Sequence, residues 1–374
     1  MSRDTVVIYH DECLDGKVAA WVAYSLFKCE KNIPIKKNPE DKRPPAIVFQ
    51  QNDGMALITQ PAVYGNVLND YPDCNVYILD FSYPIDQLLR CAKTANQVTV
   101  LDHHSGFMTN IAEYTENIRG EHHQADNIED RELRNEALTK LLEKTLVTLL
   151  QKSHETGDFT INAVDLTEAV FTNHQRNLVI YYDKMQSGAS MAWKYFYPTV
   201  AVKPMIVQYA EDHDLYKFKL PYSREVTTAM YNELIAPRDF FECVELDRNW
   251  QTNPEETLLG LREAGRALTK HRTQLVLRSI EKSATKIDLL GYQLIPINSC
   301  VREYRSYMGE LMAKGVPFSI TYEDIVSEGI REYSFRSDKD DPNAADVSEI
   351  ARRFGGNGHK HAAGAKLPLY QKLV

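Results

Sequence analysis

Residues 75–104, NVYILDFSYPIDQLLRCAKTANQVTVLDHH, hold two short apolar runs that each end in an acid, with a helix-like segment between them. Asn75-Val76-Tyr77-Ile78-Leu79-Asp80 and Gln97-Val98-Thr99-Val100-Leu101-Asp102 are continuous in large and β-branched side chains. That pattern predicts strands buried on both faces, as in a parallel sheet. Pro84 to Thr94 reads as the crossover helix. Upstream, Thr5-Val6-Val7-Ile8-Tyr9 is a third strand of the same kind, and Val18 to Phe27 reads as the helix after it. Strand and helix alternate, so the fold class is α/β, with a doubly wound parallel sheet in the N-terminal domain. Ligands of such sheets bind beyond the carboxyl ends of the strands. Three strand ends here carry His10 with Asp15 close behind, Asp80, and Asp102-His103-His104.

Outside this core the reading is coarser. Residues 29–70 include a polar stretch bearing Pro and Lys, from Lys36 to Pro45, expected to be a loop or excursion. Residues of about 105–180 are expected to form a helical insertion, with a leucine-bearing helix between Asp130 and Lys152. Thr257 to Ile280 reads as an amphipathic linker helix. A smaller C-terminal α/β domain follows, with strand-like runs at Lys286–Ile297, Val316–Tyr322 and Glu332–Arg336. The expected domains are therefore 1–255, with the insertion, a linker at 256–284, and 285–374.

Composition narrows the function. The 374 residues are 43% hydrophobic and 25% charged, ordinary for a globular chain. No apolar run approaches the roughly 18 residues of a membrane span, and Met1-Ser2-Arg3-Asp4 has no signal-peptide pattern, so a cytoplasmic location is expected. The six cysteines are scattered without a CxxC pair, against a disulfide scaffold or zinc knuckle. A net charge of −9 disfavours sequence-blind binding to long duplex nucleic acid, which needs an extended basic face. It leaves room for a small anionic substrate held by metals and a few arginines.

Each strand end alone has a bland reading: Asp80 as a helix cap, adjacent histidines as surface residues. Together they supply what two divalent ions about 3.5–4 Å apart require, namely several carboxylates, one of them bridging, and imidazoles. Carboxylate with imidazole suits a borderline-to-hard divalent metal such as Mn²⁺, or an anion site. In the C-terminal domain, Gly355-Gly356-Asn357-Gly358-His359 lets backbone fold tightly around an anion. Arg336, after a strand, suits bidentate phosphate binding.

Several ordered motifs strengthen this reading. YHDECLDGKVAAW (9–21), ILDFSYP (78–84), LDHH (101–104), SGASMAWKYF (187–196) and AEDHDLYKF (210–218) resemble the motifs of the DHH phosphoesterases. The stretch SFRSDKDDPNAADVSEIARRFGGNGHKHAAGA (334–365) resembles the glycine-rich signature of the DHH-associated C-terminal domain. Relatives include RecJ-type exonucleases, nano-RNases and cyclic dinucleotide phosphodiesterases.

The resemblance implies residue roles. His10 and Asp15 resemble first-motif metal ligands, and Asp80 the carboxylate bridging both metals. His103 resembles a second-metal ligand and His104 the imidazole that contacts the scissile phosphate. Asp102 would be a ligand or an orienting acid. In the fourth motif Asp212 is the preferred ligand over Asp214. Arg336, Gly355, Gly356, Gly358, His359 and His361 would bind substrate. Cys13 stands where many relatives have an aspartate, and a thiolate is a softer ligand. The implied cofactor is two Mn²⁺ ions, with Mg²⁺ or Co²⁺ as alternatives. The implied substrate is a short oligonucleotide or a linear or cyclic dinucleotide, bound between two lobes and cleaved by an activated water. The alternative is a degenerate relative that sequesters nucleotide intact. Oligomeric state is left open.

Ser187-Gly188-Ala189-Ser190 precedes a helix. Its small residues fit close packing of that helix on the sheet, with phosphate contact the weaker reading.

Overall fold

The computed structural model describes residues 3–11, 13–27, 31–34, 46–50, 55–63, 66–104, 159–163, 168–173, 175–215, 217–236, 239–371 and 373. Among these residues the chain divides into two compact units, one running to Arg266 and the other beginning at Ala267. The fold is α/β in both, with a parallel-rich sheet in the first and a smaller sheet with helices in the second.

The first unit is built on a nine-stranded sheet. Its strands are β1 (Thr5–His10), β2 (Lys31–Pro34), β3 (Ile47–Gln50), β4 (Ala56–Ala62), β5 (Asn75–Leu79), β6 (Gln97–Asp102), β7 (Phe159–Ala163), β8 (Glu168–Asn173) and β9 (Leu178–Asp183). They lie in the order β2-β3-β4-β1-β5-β6-β9-β8-β7. The run β4-β1-β5-β6-β9 is parallel throughout, and antiparallel strands flank it on both sides. The continuous apolar runs have the predicted consequence: Val6, Val7, Val76, Ile78, Val98 and Val100 are all buried.

Two expectations are corrected here. Residues 29–70, read as an excursion, include β4, which pairs with β1 at the centre of the sheet. The Lys36–Pro45 stretch lies outside the described residues. The insertion at about 105–180, read as helical, ends in the antiparallel strands β7 and β8. The leucine-bearing stretch at 130–152 also lies outside the described residues. The sequence signal for these strands is present in Phe159, Ile161 and Val170-Phe171-Thr172, which are β-formers in alternation with small or polar residues.

Helices cover both faces of this sheet. α1 (Leu14–Phe27) is buried along its whole first half, Leu14 to Ala23, which is why it shows no polar stripe. It shares an apolar core with α3 (Gly188–Phe196), α4 (Met205–Asp214), α5 (Ser223–Leu234) and α6 (Phe241–Thr252). The opposite face is covered by α2 (Ile85–Ala92), whose Ile85, Leu88, Cys91 and Ala92 are buried.

α3 and α4 are joined by charge as well as by apolar contact. Glu211 Oε2 accepts hydrogen bonds from Ser190 Oγ and Lys203 Nζ, both at 2.6 Å, and Oε1 accepts from Lys217 Nζ at 2.9 Å. Burial pushes the Glu211 carboxyl up, but the Lys203, Ser190 and Lys217 contacts outweigh it and hold it down at about 2. A carboxyl depressed on folding contributes stability that is present above its unfolded value near 4.5 and is lost as pH falls through about 2. Glu211→Gln is therefore expected to cost about 2–3 kcal/mol at pH 7. The gap to wild type should close between pH 4.5 and 2, as urea unfolding across that range would show.

The long helix α7 (Pro254–Ser283) has 30 residues, and the division between units falls inside it. Gly265 allows its first half to lie on α5: a Cβ there would come 1.9 Å from the Glu225 carbonyl oxygen.

In the second unit a six-stranded sheet runs in the order β10-β11-β12-β13-β15-β14. These strands are Thr285–Leu289, Tyr292–Ser299, Ser319–Ile325, Ile330–Arg336, Asn357–His359 and Ala362–Pro368, for β10 to β15 in chain order. α8 (Arg302–Met312) joins the second half of α7 in one apolar cluster, and α9 (Val347–Arg353) packs in another. No helix among the described residues is long and apolar enough to cross a membrane.

Candidate metal centre

The parallel strands β1, β5 and β6 deliver His10, Asp80 and Asp102-His103-His104 to one end of the sheet. α1 begins there with Asp15, and α4 finishes with Asp214 as its last residue. Asp15 and Asp80 are almost fully buried, at 2% and 0% exposed. Asp80 takes a left-handed φ of 56°, a conformation aspartate tolerates better than most residues. The backbone is held there by its amide donating to the Leu101 carbonyl at 2.9 Å.

Asp80 and His103 form the centre. His103 Nε2 lies 3.0 Å from Asp80 Oδ1, 3.5 Å from Asp214 Oδ2 and 3.9 Å from Asp15 Oδ2. His10 Nδ1 lies 3.6 Å from Asp80 Oδ2. Three sets of ligand atoms lie within 4.8 Å of one another: His10, Cys13 and Asp80; Asp80, His103 and His104; and Asp15, His103 and Asp214. Asp80 belongs to two of these sets and His103 to two, as a shared pair of ligands would.

Asp102 plays a different part. Its Oδ1 accepts from the His104 backbone amide at 3.0 Å and lies 2.9 Å from His104 Nδ1. It thus fixes the His104 ring, and it belongs to none of the three sets. Of the two readings open for Asp102, the geometry matches the orienting acid.

The fourth-motif preference is corrected. Asp212 is turned away from the cluster: its Oδ1 accepts from the Lys219 amide at 2.9 Å and its Oδ2 from the Leu220 amide at 3.2 Å. Both carboxylate oxygens are spent closing the turn after α4. Asp214, two residues on, faces His103. Residues two apart on a helix point to nearly opposite sides, and the sequence does not say which side meets the sheet.

Electrostatics define what the site lacks. Burial, then Asp80 and Asp214, push the Asp15 carboxyl well up. Burial raises Asp214 in the same way, with Asp80 adding to it. Burial would lower His103, but Asp80, Asp15 and Asp214 together raise it to about 10. Burial likewise opposes His104, which Asp102 and Asp80 raise. Burial with Asp80 and Asp15 pushes the Cys13 thiol up. Asp80, although buried, is held far below the usual range by His10, His103 and His104. The cluster is a concentrated negative potential.

A divalent ion fits this donor set. The Oδ2 atoms of Asp15, Asp80 and Asp214 are buried, yet none accepts a hydrogen bond. A buried carboxylate oxygen without a donor is costly unless a cation meets it. Hard oxygens with borderline imidazoles match ions such as Mn²⁺, Mg²⁺ or Co²⁺. Cys13 adds a softer donor beside His10 and Asp80.

Two glycines make the crowding feasible. A Cβ at Gly16 would come 2.4 Å from the His10 carbonyl oxygen, and one at Gly188 would come 2.4 Å from the Asp80 Cβ. Ser187 caps α3 by accepting from the Ser190 amide, and the Ala189 amide donates to Asp15 Oδ1 at 3.2 Å. The Ser187–Ser190 turn therefore packs α3 against the metal-site carboxylates and orients one of them. Gly188→Ala is expected to displace Asp80 or α3. Metal affinity should fall about 10–100-fold, in line with lost ligand orientation, at a stability cost of about 1–3 kcal/mol. Calorimetric metal titration alongside a thermal melt would measure both.

In the second unit three of the six predicted substrate residues, Arg336, Gly355 and Gly356, line one cavity. Arg336 ends β13, and its guanidinium donates to the Phe335 carbonyl at 2.9 Å and to Ser306 Oγ at 2.7 Å. It lines a cavity of about 660 Å³ together with Arg302, Arg305, Lys366, Gly355 and Gly356. Lys366 is a cation that sequence reasoning did not assign to this site. Gly355 turns the chain after α9 with φ 72°, and Gly356 sits where a Cβ would come 2.1 Å from the Gly364 carbonyl oxygen. The 355–359 stretch, read as backbone folded tightly around an anion, is a tight turn at Gly355 followed by the edge strand β14. Gly358 and His359 lie in that strand, opposite Ala363 and Ala362. His361 is outside the cavity lining, with Nδ1 2.9 Å from Ser337 Oγ.

No protein-family model matches the chain. Over 365 residues it is 23% identical to the uncharacterized protein R106 of Acanthamoeba polyphaga mimivirus, covering 96% of this chain. The chain spans 66% of the length of that relative. Among solved structures, the pGpG-specific phosphodiesterase PggH of Vibrio cholerae aligns over 98% of this chain and 94% of its own, with 12% identity and a TM-score of 0.42. That likeness is too low to carry fold or function, which rest on the geometry above.

Proposed function

We propose that this chain is a metal-dependent phosphoesterase that hydrolyses phosphodiester bonds in short oligonucleotides or linear or cyclic dinucleotides. The observation that carries this reading is the convergence of three buried carboxylate oxygens, on Asp15, Asp80 and Asp214, with none accepting a hydrogen bond. His10, Asp15, Asp80, His103 and Asp214 would hold two ions, with Asp80 shared and Cys13 as a further donor. When bound, such ions lower the pKa of water and neutralise charge developing on phosphoryl oxygens. His104, its Nδ1 committed to Asp102, presents its ring in a fixed orientation, so that Nε2 meets an oxygen of the scissile phosphate. Asp102 is then the acid that orients His104.

In the second unit, by itself, Arg302 and Arg336 line the cavity with Arg305 and Lys366, which both pair with Glu332, and guanidinium groups of this kind suit phosphate. Several cations in a cavity of this size fit a substrate carrying more than one phosphate better than a single small anion. The net charge of −9 favours a short strand over a long one.

The test is chromatographic product analysis with a panel of RNA and DNA oligonucleotides of increasing length, linear and cyclic dinucleotides, and pyrophosphate, in Mn²⁺ and in EDTA. Metal-dependent release of mononucleotides from one class is the expected result, with no release in EDTA. Intact nucleotide recovered from the protein, with no turnover in any divalent ion, would replace hydrolysis by sequestration. In that event Cys13→Asp would be the first variant to examine.

A further inference from the structure

Among the described residues, β10 (Thr285–Leu289) is one edge of the six-stranded sheet. Thr285, Lys286 and Asp288 are exposed, while Ile287 and Leu289 turn into the core. An open strand edge is a template for another strand, and proteins commonly blunt it with a lysine or a bulge. The bulge in this hairpin is on the inner strand. Ile287 pairs with Ile295 and Leu289 with Tyr292, so β11 places Gln293 and Leu294 opposite the single residue Asp288. Leu294 takes the left-handed φ of 55°, and its amide donates to Asp288 Oδ1 at 2.9 Å. β10 carries no extra residue, and its outer edge is regular.

We propose that this edge pairs antiparallel with β10 of a second copy of the chain, about a two-fold axis through Ile287. In that register Ile287 faces Ile287, Thr285 faces Leu289, and Lys286 faces Asp288 in both halves. Lys286 and Asp288 share one face of the strand, so each copy offers a cation to the other's anion. Lys286 makes no ion pair among the described residues. The charges also select the register. A slip of two residues in one direction sets Lys286 against Lys286, and in the other sets Asp288 against Asp288. Both are repulsive cross-strand pairs. Lys286 and Asp288 therefore each block one adjacent register and together complete this one. Apolar surface flanks the edge: Leu290 is 49%, Tyr292 37% and Leu294 62% exposed. The joined sheets would run through two copies, and the partner is defined by self-complementarity, as an isologous interface requires.

Sedimentation velocity of the full chain over a range of concentrations tests this. Wild type is expected to dimerise. Lys286→Glu, which sets two carboxylates in opposition across the interface, should weaken the dimer at least about tenfold. Asp288→Lys should weaken it similarly, by setting two lysines in opposition. An equimolar mixture of the two variants should recover dimer, because both cross-strand pairs become complementary again. Asp288 also holds the bulge, so Lys286→Glu decides the matter should Asp288→Lys misfold. A chain that stays monomeric, or a dimer indifferent to Lys286→Glu, overturns the proposal. So does a mixture of two folded variants that fails to recover dimer.

Discussion

Asp80→Asn is expected to lose divalent-ion binding and to lower phosphodiester turnover about a thousandfold or more, while the metal-free variant stays folded. Asp80 stands between the ligand sets, 3.0 Å from His103 and 3.6 Å from His10 through its two oxygens. Bound ions supply several kcal/mol of transition-state stabilisation, and each 1.36 kcal/mol is a factor of ten in rate. Asparagine keeps the size of the side chain and tolerates the left-handed backbone that Asp80 adopts. What it removes is the charge. Wild type should therefore gain thermal stability on addition of Mn²⁺, by mass action on the folded state, and Asp80→Asn should not. Melting curves with and without the ion, read beside turnover, separate a lost ligand from a damaged fold.

The second large effect is a contrast between neighbours. Asp212→Ala should cost about 3 kcal/mol of stability, because the buried carboxylate accepts from two backbone amides that would be left without a partner. Its effect on metal affinity should be no larger than the unfolding explains. Asp214→Asn should do the reverse. Burial and Asp80 disfavour the Asp214 charge, so a neutral side chain relieves the metal-free protein while metal affinity and turnover fall about a hundredfold or more. Urea unfolding and calorimetric metal titration on both variants would check this. Equal losses of affinity with no difference in stability would return the fourth ligand to Asp212.

The strand ends were legible because buried parallel strands announce themselves: Val76 to Leu79 and Val98 to Leu101 are continuous in large or β-branched side chains, and the acids after them are conspicuous. The residues that elude sequence reading do so for identifiable reasons. β4 hides behind Gln60 and Pro61, yet β3 pairs only with Ala56 to Thr59. Pro61 lies beyond that pairing, where its missing amide costs little. β7 and β8 were overshadowed by the leucine-bearing stretch before them. Asp212 and Asp214 have equal claims in sequence, and only the turn at Lys219 and Leu220 shows which carboxylate is already engaged. Gly188 looked like ordinary helix packing; its closeness to Asp80 appears only once β5 and α3 are placed together. The Ser190–Lys203–Glu211–Lys217 network joins residues up to 27 positions apart, with no local pattern to mark it.

The most direct test of the metal centre is a count of ions. Protein stripped with EDTA would be dialysed against Mn²⁺ at a range of concentrations, and the metal bound per chain measured for wild type and Asp80→Asn. The geometry predicts about two ions per wild-type chain and a loss of saturable binding in the variant. A wild-type chain that retains no ion, or an Asp80→Asn chain that binds as many as wild type, would contradict it.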